Sequence, residues 1–96
     1  MRLKTEDIKI IKTLTATFFG ETSSVFLFGS RVDDHKKGGD IDLYIEVDDK
    51  HDLFERKIKF LARLKRAIGD QKIDLVFNED SSRLIEQEIK KWAIKL

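Results

Sequence analysis

Asp40 and Asp42 stand two residues apart, downstream of a Gly29-Ser30 pair, and a third aspartate, Asp74, interrupts a later apolar run. In an extended strand alternate side chains share a face, so Asp40 and Asp42 point one way while Ile41 and Leu43 point the other. Like charges held side by side repel, and a bound cation offsets that cost. Asp74 lies opposite Ile73, Leu75 and Phe77 on its own strand, and joins the same face if the two strands are neighbours in suitable register. Three carboxylates converging on one surface can hold two Mg²⁺ ions about 3.5–4 Å apart. Asp40 and Asp42 would bridge both ions, and Asp74 would hold the one that activates an incoming hydroxyl and would accept its proton. Gly29 lets backbone approach a phosphate without a Cβ in the way, and a helix start after it would offer N–H donors. Ser30 adds a hydroxyl for a terminal phosphate. Arg31 serves either as a charge partner for a polyphosphate or in a surface salt bridge. The chemistry is phosphoryl or nucleotidyl transfer.

Those residues need elements to hold them. Thr5 to Phe19 is expected to be a helix with Ile8, Ile11, Leu14 and Phe18 as its inner stripe and Gly20 as its stop. Ser24 to Phe28 is apolar after its first residue, as in a strand covered on both faces. Ser30-Arg31-Val32 is read as the start of a short helix, and Asp33 to Gly39 as a polar loop whose Lys36 and Lys37 face solvent. Asp40 to Val47 alternates, with Ile41, Leu43, Ile45 and Val47 inward and Asp40, Asp42, Tyr44 and Glu46 outward, Tyr44 covering an exposed sheet face. After a turn at Asp48-Asp49-Lys50, His51 to Ile68 forms a second helix that buries Phe54, Ile58, Leu61 and Ile68 and stops at Gly69. Lys72 to Phe77 is a third strand. Asn78 to Ser82 supplies caps for a last helix whose stripe is Ile85, Ile89, Trp92 and Leu96. The expected fold is α+β, a small mixed sheet of about three strands packed against helices, in a single domain spanning residues 1–96.

The bulk composition narrows the function. A hydrophobic content of 41% beside 39% charged residues fits a globular protein. A formal net charge of +1 makes general attraction to nucleic acid a poor explanation of purpose. The absence of cysteine excludes disulfides and thiolate metal sites. Neither a membrane-length apolar run nor a signal-peptide segment is found, so a cytoplasmic location is expected. His35 and His51 fall in polar loops and are assigned no catalytic part.

Gly29-Ser30, Asp40-Ile41-Asp42 and the distant Asp74 together resemble the pattern of the DNA polymerase β-like nucleotidyltransferase superfamily. The Gly-Ser-Arg and Gly-Asp-Ile-Asp-Leu wording and the short chain resemble, more closely, its minimal nucleotidyltransferases (MNT proteins), over nearly the whole length. One departure is Gly39, where a serine often precedes the first aspartate; that side chain is not a ligand. The resemblance implies a polymerase β-like fold, Asp40, Asp42 and Asp74 as catalytic metal ligands, and Gly29, Ser30 and Arg31 as nucleotide-binding residues. It also implies transfer of a nucleoside monophosphate from a triphosphate, with Mg²⁺ as cofactor and ATP as substrate. MNT proteins are commonly encoded beside a HEPN-domain protein, a toxic ribonuclease that the MNT antitoxin AMPylates on tyrosine. The expectation is therefore the antitoxin of a toxin–antitoxin system, working in a homo- or hetero-oligomer. Two rivals stand beside it: an antitoxin that neutralises its HEPN partner by binding alone, and a nucleotidyltransferase acting on a small molecule. The intact carboxylate set argues against the first, and the lack of room for an acceptor domain against the second.

Overall fold

A computed structural model describes residues 3–29, 41–69, 71–78, 91 and 93–96. The first helix, α1, spans Thr5–Phe19, with Glu6 and Asp7 in its first turn, where a negative charge meets the positive end of the helix dipole. It stops at Gly20, whose N–H donates to the carbonyl of Ala16. Strand β1 (Ser24–Phe28) follows, then β2 (Ile41–Glu46), helix α2 (Leu53–Ile68), β3 (Ile73–Phe77) and the short β4 (Ile94–Lys95). The sheet order is β3-β2-β1-β4. The central β2 pairs antiparallel with β1 and parallel with β3.

The alternation read from the sequence decides which side of this sheet is apolar. Val25, Leu27, Ile41, Leu43, Ile45, Ile73, Leu75 and Phe77 are all buried, in one cluster with Ile11 and Phe19 of α1 and Phe60 and Leu64 of α2. Phe19 is the hub of that cluster: its ring centroid lies 5.2 Å from Phe60 and 5.3 Å from Phe77. Seating Phe19 there turns α1 so that Ile11, Thr15 and Phe19 are its buried residues, while Leu14 and Phe18 of the expected stripe are half-buried at its margin. The buried Thr15 hydroxyl is satisfied within the helix, donating to the carbonyl of Ile11 at 2.6 Å. Arg56 clips the two helices together. Its Nε donates to the Phe18 carbonyl at 2.7 Å, its Nη1 to the carbonyls of Asp49 and His51, and its guanidinium lies 5.4 Å from the Phe19 ring centre. α1 has no basic residue in its last turn, so Arg56 brings positive charge to that negative dipole end.

Three expectations change. Among the described residues the sheet has four strands, because Ile94 and Lys95 pair with Leu27 and Phe26, and the Leu96 N–H donates to the Val25 carbonyl. A helix therefore cannot run to Leu96; pairing instead supplies partners for the outer backbone groups of β1. Ile85, Ile89 and Trp92, with the short helix expected at Ser30-Arg31-Val32, lie outside the described residues. In α2 half of the expected stripe reaches the core: Leu61 and Ile68 are partly buried against it, whereas Phe54 and Ile58 are not. Phe54 is 72% and Ile58 52% exposed, while Phe60 and Leu64 are fully buried. Tyr44, expected on an open polar face, is only 1% exposed and packs against Phe26 at 5.9 Å between ring centroids.

The two phenylalanines of α2 make a direct test. Phe60→Ala should cost about 3–5 kcal/mol, a large part of the ~5–15 kcal/mol that holds a domain folded. Phe54→Ala should stay within about 0.5 kcal/mol of the parent. Urea unfolding of the two variants checks the difference.

Candidate active site

β1 enters the site from one side and β2 and β3 from the other. Phe28 is the last residue of β1, and Asp42 and Asp74 are each second in their strands. The register lines them up in one row: Phe28 pairs with Asp42, and Asp42 with Asp74. Residues opposite one another in register share a face, so both carboxylates leave the sheet on the side away from the two helices, with neighbouring strands about 4.8 Å apart. The next row is Phe26, Tyr44 and Val76, an apolar floor beside the carboxylates. Asp42 is half-buried and Asp74, on the outer strand, is exposed.

The Gly-Ser turn and the carboxylates meet directly. Gly29 has φ +78°, and a Cβ built on it would collide with Oδ2 of Asp42 and stand 2.9 Å from its Cγ. A side chain at position 29 is thus excluded twice, by backbone conformation and by the Asp42 carboxylate packed against the Cα. That closeness comes from antiparallel pairing: Phe28 opposite Asp42 delivers the next residue of the turn to the aspartate side chain.

Beyond the carboxylates the strands are closed by a side chain. Asn78 Oδ1 accepts from the Val47 N–H at 2.7 Å, and its Nδ2 donates to the Val47 carbonyl at 3.3 Å, continuing the β2–β3 ladder by one step. By sequence Asn78 reads as a helix cap; its link to Val47 spans thirty-one positions and has no local signature. Of the residues singled out from sequence, the structure brings Gly29, Asp42 and Asp74 together. Ser30, Arg31, Asp40, Lys36 and Lys37 lie outside the described residues. Among the described residues no third carboxylate, imidazole or thiolate joins Asp42 and Asp74. The pair itself fits a hard divalent cation: two oxygen donors, in adjacent register, whose mutual repulsion a cation would relieve.

A mixed four-stranded sheet, helices on one face and paired aspartates on the other, is consistent with the fold of polymerase β-like nucleotidyltransferases. A family model described as Polymerase beta, Nucleotidyltransferase matches residues 8–96, and the chain belongs to that family. It is a nucleotidyltransferase. No curated protein matches the chain. Among the described residues no helix is long and apolar enough to cross a membrane.

Proposed function

We propose that this nucleotidyltransferase is a Mg²⁺-dependent protein adenylyltransferase that moves AMP from ATP to a tyrosine hydroxyl of a HEPN-domain toxin, and so acts as its antitoxin. The observation that carries the transferase site is the pairing of Asp42 with Asp74 while Gly29 rests against the Asp42 carboxylate. The antitoxin role rests on the resemblance to MNT proteins.

Asp40, Asp42 and Asp74 would hold the metal, with Gly29, Ser30 and Arg31 on the nucleotide phosphates. Bound there, Mg²⁺ would neutralise phosphate charge and favour the deprotonated acceptor. Gly29 leaves the backbone open to the triphosphate at the point where a Cβ would displace Asp42. Asp74, exposed on the outer strand, is reachable by an acceptor on another molecule and takes its proton. The acceptor oxygen forms a bond to the α-phosphorus as the bond to pyrophosphate breaks, so AMP is transferred and pyrophosphate leaves.

The test is incubation with Mg²⁺, α-labelled ATP and the protein encoded by the adjacent reading frame, expected to be a small helical protein with an Arg…His-x-Tyr motif. Label should pass to that protein and disappear with Asp42→Ala. Absence of transfer, with neutralisation of the toxin persisting in Asp42→Ala, would overturn the adenylyltransferase reading in favour of inhibition by binding.

A further inference from the structure

The apolar positions of α2 extend beyond the face that fills the core among the described residues. Leu53, Phe60 and Leu64 go to the core. Phe54 and Ile58, one turn apart, lie on another side with much of their surface in water. That side can be placed. Arg63 and Ala67 line a groove of about 260 Å³ against Lys9, Ile10, Thr13 and Leu14 of α1. At 3.6 residues per turn, Phe54 stands roughly half a turn around the helix from Arg63. The Phe54 flank therefore faces away from α1. The half-buried Leu61 and Ile68 continue it back toward the core.

α2 links β2 to the parallel β3, and among the described residues β3 is the outermost strand, with Asp74 on its opposite face. α1 occupies the other side of α2, toward β1 and β4, where Lys12, Thr15 and Ala16 share a cleft with Val25 and Lys95. The Phe54 flank thus borders the β3 edge of the molecule. Its charged neighbours are Lys57, Lys65 and Arg66, set against Glu55, while Lys59 lines a cleft with Thr17 and Phe18 at the end of α1. An apolar centre with a cationic border matches an apolar surface with an anionic one. A second copy of α2 would bring like charges together around the same centre.

We propose that the Phe54–Ile58 flank of α2 is a docking surface for a protein partner that presents an apolar stripe edged by Asp and Glu. The partner would sit at the β3 edge, beside the strand that carries Asp74, without covering Gly29. That second statement rests on the transferase reading; the docking surface does not.

The probes are two synthetic amphipathic helical peptides with the same leucine stripe, one edged with glutamate and the other with lysine. Each is titrated into the isotope-labelled protein without nucleotide. The glutamate-edged peptide should shift the amides of residues 54, 58 and 61 and bind at least ~10-fold more tightly than the other, less so at high salt. Phe54→Asp should weaken it at least ~10-fold while leaving the thermal midpoint in place. The double change Lys65→Glu with Arg66→Glu should reduce or reverse the preference between peptides. Equal binding of both peptides, or shifts confined to other elements, would overturn the proposal. So would a Phe54-dependent dimer in sedimentation, or preferential binding to anionic phosphatidylserine vesicles or to DNA. Because no nucleotide is present, failure here leaves the transferase reading standing, and failure of AMP transfer leaves the docking result standing.

Discussion

Gly29→Ala is expected to lower nucleotidyl transfer at least ~100-fold, the scale on which a displacement of about 1 Å at a reacting group costs rate. The substitution does two separable things. It places an L side chain at φ +78°, which costs about 1–2 kcal/mol. It also puts a methyl group into the Asp42 carboxylate, which must move or be pushed off its rotamer. Gly20→Ala separates the two effects. Gly20 has φ +101°, but a Cβ there would meet nothing within 4 Å, so the alanine bears the backbone cost without a collision. For a domain of this size both variants should melt lower by about 4–8 °C per kcal/mol lost. Only Gly29→Ala should lose transfer. Equal loss in both would mean that the contact with Asp42 has no part in the chemistry.

Asp74→Asn is expected to remove transfer by at least ~10³-fold and yet leave the metal-free protein as stable as the parent, or more stable by up to about 1 kcal/mol. The reason is the register. Asp42 and Asp74 are direct partners on neighbouring strands, and like charges so placed oppose folding. Asp74 is exposed, so its amide is readily hydrated. Mg²⁺ should reverse the ranking. A cation that binds only the folded parent adds about 2.7 kcal/mol at a hundred times its dissociation constant, and the variant should gain much less. Thermal melts with and without Mg²⁺, beside the transfer assay, read both effects. If Asp74→Asn destabilised the metal-free protein while Mg²⁺ raised both midpoints equally, Asp74 would be a structural residue.

Local pattern was enough to place most elements. The helix Thr5–Phe19 and the strand Ser24–Phe28 run as the sequence indicates, because their period and their glycine stops are set by nearest neighbours in the chain. The alternation in Asp40 to Val47 and Lys72 to Phe77 was likewise enough to name the core side of each strand and to put Asp42 and Asp74 on the other. What the pattern leaves open is which apolar stripe of a helix meets the core. Phe54, Ile58, Leu61 and Ile68 have helical spacing as good as that of Phe60 and Leu64. The choice was made by Phe19, whose ring packs on Phe60, and by Arg56, whose guanidinium holds the end of α1. Both contacts join residues some forty positions apart.

The same distinction runs through the site. The sequence alone determined the inventory: an aspartate on each of two strands, on the face opposite the apolar one, and a glycine after an apolar run. Only the tertiary structure decided that the strands are neighbours, that Asp42 stands beside Asp74, and that Gly29 touches Asp42. The apolar floor of Phe26 and Tyr44, the Asn78 link to Val47 and the fourth strand at Ile94 belong to the same class. Residue type and periodicity are carried by each short segment, whereas register and adjacency arise only when distant backbone groups find their partners and the sheet closes around a core.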